Sequence, residues 1–419
     1  MVAIRDTLLD DYQRVRSQSL SLCKNLSVED MTAQSMPDAS PIKWHLAHTS
    51  WFFETFILAP YAGLKAFDPV FQQLFNSYYV SLGQPYARPQ RGLITRPSVQ
   101  QVIDYRAYVD EHMNTLLGDQ EAPQELVTVG LHHEMQHQEL MLTDILHLFS
   151  HNPQHPAAIA NENTAEAPAG EYSMSTWLRY DAQQASVGAG RDDTFSYDCE
   201  QPRHQTFLNE FSLASRLVSN AEWLEFIQDG GYQEPLLWLS DAWAHAKQQQ
   251  WETPAYWVKK NDAWFQFGLD GLKKINPFAP VCHISYYEAQ AYATWAGKRL
   301  PREHELESVT QAQTIHGNFV ESKNWRPQPA TGEGVRQLYG DVWEWTESPF
   351  TPYPGFRAEQ GALGEYNGKF MCNQFVLKGG SCATAKQQMR ASYRNFFYPH
   401  QRWQFSGLRL AADPHQETI

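Results

Sequence analysis

The sequence predicts a multidomain protein of mixed class, a four-helix bundle followed by a loop-rich α+β domain. Apolar residues recur at helical spacing through the first 150 residues, and beyond residue 175 the texture changes to short apolar runs rich in Trp and Gly. Between them lies a stretch rich in Pro, Ala and Asn. A chain of 419 residues exceeds what one core usually organises, so two domains are expected, over 1–150 and 175–419, joined by a linker over 151–174.

The opening helix follows from Leu8, Leu9, Tyr12, Val15 and Leu20 at roughly helical spacing. Ser40-Pro41 supplies a second start, Ser40 as N-cap and Pro41 in the first turn. Trp44, Ala47, His48, Trp51, Phe52, Thr55 and Phe56 follow on one stripe. A third helix is expected over 99–117. A fourth, over 124–149, places Leu126, Val129, His133, His137, Leu140 and Asp144 on one face. The connection over 60–98, rich in Pro, Gly and aromatics, is long enough to carry function. In the second domain only 220–228 and 285–296 read as helices.

Lys+Arg 33 against Asp+Glu 47 gives a formal charge of -14, which argues against nucleic acid as a partner. No apolar run is long enough to span a membrane, and Met1 to Asp6 lack the basic start and apolar core of a signal peptide, so no membrane partner and a cytoplasmic location are expected. The five cysteines, Cys23, Cys199, Cys282, Cys372 and Cys382, form no C-x-x-C pair and read as structural thiols.

His133-Glu134-Met135-Gln136-His137 carries the chemistry, because histidines four apart on a helix point the same way and can grip one metal ion. Trp44-His45-Leu46-Ala47-His48 offers a third ligand from another helix, and by spacing either His45 or His48 serves. Three neutral imidazoles leave part of a metal open to substrate and suit Fe(II), although Zn(II) also binds such a set. His132 and His147 read as ordinary histidines. The H-E-x-x-H pattern also fits a zinc protease with Glu134 as general base. That reading needs a further ligand downstream, and Glu162, Glu166 and Glu171 lie in a segment without helical pattern.

Six stretches together resemble the ergothioneine-pathway sulfoxide synthases: Ser40 to Thr49, Asn76-Ser77-Tyr78-Tyr79, Arg88 to Leu93, His133 to Glu139, and the pieces Gly340 to Thr346 and Lys378 to Arg409 of the second domain. The resemblance implies a DinB-like bundle followed by a formylglycine-generating-enzyme-like, C-type-lectin-like domain. It implies a non-haem iron(II) enzyme that uses O2 to join a thiol sulfur to the imidazole of hercynine (trimethylhistidine) and to oxidise that sulfur. It assigns the metal to His48, His133 and His137, hercynine to Gln136 and Asn395, and the thiol's carboxylate to Arg88 and Arg91. A tyrosine of the bundle domain's loop, Tyr78 or Tyr79, is expected to supply a proton. Phe396-Phe397 stands where relatives that take γ-glutamylcysteine have Trp-Asp, so cysteine is the expected sulfur donor. A structural Ca(II) is a further expectation for this fold, without assignable ligands. The alternatives are the same reaction with γ-glutamylcysteine, selenoneine synthesis, and a zinc-dependent thiol transferase of the DinB type.

Overall fold

The computed structural model of the chain describes residues 2–118, 122–159, 175–190 and 193–414. Most of the expected linker, with Glu162, Glu166 and Glu171, lies outside the described residues. The chain divides into two compact units, the first comprising Met1–Ala160 together with Leu269–Gly271 and Gln360–Tyr366.

Four long helices build the first unit: α1 (Val2–Leu22), α2 (Ile42–Phe53), α3 (Val99–Gly118) and α4 (Gln124–Ser150). α1 packs on α3 and α4, and α2 packs on the same two helices. Tyr12 and Val15 face the core from α1, whereas Leu20, expected on that stripe, is exposed. α2 starts without the expected Ser40 cap; Pro41 stands at the N-cap and makes no side-chain cap bond. Ser40 instead donates its backbone N–H to Asp144 at 2.8 Å and accepts from Arg91 at 2.9 Å, so tertiary partners outcompete the local cap. Beyond Phe53 the helix widens into a π turn, Glu54–Leu58, a feature that often accompanies functional sites.

α4 is buried on nearly every side, including Val127, Leu131, Met135 and Leu142 as well as His133 and His137. Gly130 lets α2 approach: a Cβ there would lie 2.7 Å from the Phe53 ring. The bundle centre is polar. Glu134 on α4 accepts from Arg16 of α1 at 2.9 Å, from Ser19 at 2.6 Å and, through a very short contact, from Arg106 of α3. A charge buried in this way must be paired, and two guanidiniums hold the carboxyl down to about 2 against the opposing effect of burial.

The second unit contains small sheets linked by long loops. In the largest, Asn395–Phe397 pairs antiparallel with Phe375–Lys378, which pairs with Trp343–Pro349, which in turn runs parallel to Ser406–Gly407. Trp343, Trp345, Val376, Leu377 and Leu408 fill its core. Gly340 has φ 78°, and a Cβ there would lie 2.5 Å from the backbone of Asn318, so only glycine fits. Asn220–Gln228 and Tyr286–Trp295 are helical as expected, each opened by a capping box from Ser219 with Glu222 and from Ser285 with Glu288.

Among the described residues of the second unit, two helices escaped the periodicity reading, Ser240–Gln248 and Glu303–Thr310. The second buries Glu303, Glu305 and Glu307 against Arg394, Arg299 and Lys378, so its inward face carries charge where an apolar stripe was sought.

Candidate metal centre

α2 contributes His48 and α4 contributes His133 and His137, and one ring nitrogen from each lies within 4.8 Å of the other two. The four-residue step on α4 stacks its two histidines on one face, and α2 crosses at the level that presents His48 to them. All three are buried. His48 Nδ1–H donates to the Phe75 carbonyl at 2.6 Å, which leaves Nε2 as the lone-pair nitrogen. That Nε2 lies 3.1 Å from His133 Nε2. Imidazole–metal bonds of about 2.1 Å place adjacent donors roughly 3 Å apart, so the pair fits a shared cation.

Electrostatics keep these rings neutral. Burial, reinforced by the neighbouring His133, pushes His48 well below the usual histidine range, and burial pushes His133 down to about 3. His137 is depressed too, by burial first and then by His133 and His48. Three neutral imidazoles clustered in this way form a donor set that suits a first-row divalent metal.

His45, left open as a ligand by spacing, sits one step back. Its Nδ1 is 2.8 Å from His137 Nδ1 and its Nε2 is 3.0 Å from Asp144. Glu134 is also unavailable as a general base, because Arg16, Arg106 and Ser19 occupy its carboxylate in the bundle centre. The protease reading is thereby overturned.

Aromatic rings wall the centre. His48 lies between Trp44, 4.6 Å away and nearly parallel, and Trp51, at 5.5 Å. Phe52 packs 4.7 Å from His133. On the far face of this stack the Arg91 guanidinium sits 3.4 Å from the Trp44 ring centre. Arg91 is 2 % exposed, donates to Ser40 and Ser77, and among the described residues makes no ion pair with a carboxylate. Burial and the neighbouring Arg88 both disfavour its charge. Asp144, bridged to it through Ser40, favours the charge, and no carboxylate among the described residues occupies the guanidinium directly. Arg88 is exposed, three residues away on the same 3-10 turn, Arg88–Leu93.

Tyr78 and Tyr79 are held by an Asx-type turn in which Asn76 Oδ1 accepts from the Tyr79 N–H at 3.0 Å. The Tyr79 ring is fully buried against Trp51 and Phe56. Tyr78 stacks on Tyr79 at 4.6 Å and faces Tyr366 at 6.3 Å. Burial raises the Tyr78 phenol above its usual value.

Tyr366 was not singled out from sequence. Its hydroxyl donates to Gln136 Oε1 through a very short contact, and its ring lies 5.8 Å from His133. The preceding Glu365 accepts from the Val80 and Ser81 N–H groups at 3.1 and 3.0 Å, which fastens Gln360–Tyr366 to the Tyr78-Tyr79 loop. Nothing local in Gly364-Glu365-Tyr366 signals this role.

Asn395, Phe396 and Phe397 belong to the second unit. Asn395 Oδ1 accepts from the Phe396 N–H at 2.9 Å, and Phe396 stacks on Phe350 at 4.1 Å.

A four-helix bundle bearing three clustered histidines that could hold a metal ion is coupled in one chain to a loop-rich Trp- and Gly-dense domain. The DinB superfamily model matches residues 11–151, and the sulfatase-modifying factor enzyme 1-like domain matches residues 151–329 and 325–414. The chain is 31% identical to the hercynine oxygenase of Mycolicibacterium smegmatis, with 98% of this chain and 99% of the relative covered. It is 30% identical to the hercynine oxygenase of Mycobacterium tuberculosis over 96% of this chain and 97% of that protein. The ergothioneine biosynthesis protein 1 of Schizosaccharomyces pombe is 26% identical over 52% of this chain and 27% of its own length. The chain belongs to the hercynine oxygenase family, the sulfoxide synthases of ergothioneine biosynthesis, and is an oxidoreductase of that pathway. Among the described residues no helix is long and apolar enough to cross a membrane.

Proposed function

We propose that this chain joins hercynine and L-cysteine, with O2 as oxidant, to give hercynylcysteine sulfoxide. Forming the C–S bond removes two electrons and oxidising sulfur removes two more, which balances O2. One oxygen atom enters the sulfoxide and the other leaves as water. The observation that carries the reading is the pairing of the three-histidine centre with Arg91, a buried cation in no direct ion pair among the described residues, on the far side of Trp44.

His48, His133 and His137 would hold Fe(II), which supplies the redox chemistry for O2 and a Lewis-acid site for the thiolate sulfur. Arg91, with Arg88 beside it, binds the cysteine carboxylate. Gln136 orients the hercynine imidazole. Tyr366, which donates to Gln136, and Tyr78, which faces Tyr366, are the candidate proton donors, with Tyr79 packed behind them. Asn395 is assigned to the trimethylammonium end, and Phe396-Phe397 to the preference for cysteine, on the family pattern alone.

The test is anaerobic reconstitution with Fe(II), addition of hercynine and either cysteine or γ-glutamylcysteine, then O2, with products read by mass spectrometry. Sulfoxide from cysteine supports the whole reading. Sulfoxide from the dipeptide alone retains the reaction and refutes the specificity assignment. No sulfoxide from either thiol overturns it. Under the same conditions Tyr366→Phe should divert cysteine toward its sulfinate, and an unchanged product ratio would remove Tyr366 from the proton-donor role.

A further inference from the structure

His137 differs from the other two candidate ligands in what stands behind it. His48 leans on a backbone carbonyl, that of Phe75, and His133 Nδ1 has no partner among the described residues. His137 Nδ1 instead meets His45 Nδ1 at 2.8 Å, and His45 Nε2 meets Asp144 Oδ2 at 3.0 Å, all three residues being buried. Asp144 Oδ2 also accepts the Ser40 N–H at 2.8 Å, which fixes the carboxylate from the loop before α2.

The proton positions along this chain follow from the groups themselves. A carboxylate only accepts, so His45 Nε2 carries hydrogen and donates to Asp144. Between the two Nδ1 atoms one nitrogen donates and the other accepts. If His45 donated, His137 would keep its hydrogen on Nε2 and present no lone pair to a metal. The arrangement compatible with ligation is therefore Asp144 accepting from His45 Nε2–H and His45 Nδ1 accepting from His137 Nδ1–H, with His137 Nε2 free to coordinate.

We infer that Asp144 and His45 are positioning residues that select the tautomer and ring orientation of His137 and strengthen it as a metal donor. The inference rests on the three-histidine reading. Its physical basis is that a carboxylate at the end of a hydrogen-bonded chain raises ligand basicity and removes ring rotation. Residues outside the coordination sphere thus act on the metal, and Ser40 links the same carboxylate to Arg91 through its hydroxyl.

Co(II) titration of the metal-free full chain tests it, reading affinity and the visible ligand-field spectrum, with thermal melting of the metal-free protein as the fold control. His45→Phe should bind Co(II) about 10- to 100-fold more weakly with a shifted spectrum, and Asp144→Asn up to about 10-fold more weakly. His45→Asn, whose carbonyl can accept from His137 Nδ1–H, should recover most of the loss. Parental affinity and spectrum in both His45→Phe and Asp144→Asn would overturn the relay, provided that His137→Ala abolishes binding. Unchanged Co(II) binding in His137→Ala would overturn the metal centre itself. If His45→Phe does not fold, the near-isosteric Asp144→Asn decides alone.

Discussion

The guanidinium of Arg91 lies 3.4 Å from the ring centre of Trp44, and Trp44 in turn stacks on the candidate metal ligand His48. A cation, an indole and an imidazole thus form one column, with Arg91 fixed by Ser40 and Ser77.

If Arg91 takes the carboxylate of the thiol substrate, Arg91→Lys loses a charge-assisted fork worth about 1.5–3 kcal/mol. KM for cysteine should rise about 10- to 100-fold with a smaller change in kcat. Cysteamine, which lacks the carboxylate, should be a poor substrate of the parent and no worse with the variant. Equal losses for both thiols in steady-state kinetics would remove Arg91 from carboxylate binding.

Glu134 separates catalytic from structural use of the H-E-x-x-H pattern. A zinc protease would lose activity and keep its stability on Glu134→Gln. Here the carboxylate pairs with Arg106 and shares Arg16 with Asp110, 2.6 Å from that guanidinium, so the change leaves the buried Arg106 uncompensated and should cost about 3–5 kcal/mol. Urea unfolding of the metal-free protein measures it. A loss below about 1 kcal/mol would contradict the structural role.

Gly130 sets the distance between α2 and α4. Alanine is favoured over glycine inside a helix by about 1 kcal/mol, but its Cβ would sit 2.7 and 2.9 Å from atoms of the Phe53 ring and 3.2 Å from Phe52. Overpacking of about 1–3 kcal/mol should win, and Phe52 should transmit the shift to His133, 4.7 Å away. Gly130→Ala is expected to melt lower and to bind Co(II) more weakly. A higher melting temperature with parental binding would show that the rings yield freely.

His283, in the second unit, makes folding sensitive to acid. Burial, with Arg326 acting in the same direction, pushes its imidazole down to about 3, while its Nδ1 bonds to the Gln404 carbonyl at 3.0 Å. The unfolded chain binds a proton near pH 6.5 and the folded chain near 3. The stability held above pH 6.5 is therefore lost progressively as pH falls toward 3, with a slope of at most about 1.4 kcal/mol per pH unit. His283→Asn, which tolerates the left-handed φ of 65°, should flatten this part of the profile. Parallel parent and variant curves between pH 6.5 and 4 would refute it.

Much of the bundle was legible because helical periodicity is local. The expected third and fourth helices, 99–117 and 124–149, end within a residue of the observed Val99–Gly118 and Gln124–Ser150. The Ser40 cap was misread because that residue's hydrogen bonds go to Asp144 and Arg91, more than fifty positions away in sequence. The helix Glu303–Thr310 was missed for a related reason, since its buried glutamates find basic partners that no periodicity reveals.

At the centre, the four-residue step by itself determined that His133 and His137 share a face, because the pitch of a helix leaves no alternative. The motifs of the two halves determined the family. Spacing left His45 and His48 equivalent and the family pattern pointed to His48, while the crossing of α2 over α4 sets the distances of each to the α4 histidines. That crossing sets His48 Nε2 3.1 Å from His133 and turns His45 toward His137 and Asp144. Tertiary structure alone also turned Glu134 to Arg16 and Arg106 and carried Tyr366 to Gln136. These contacts join residues far apart in the chain, and their partners are chosen by packing and charge burial in three dimensions.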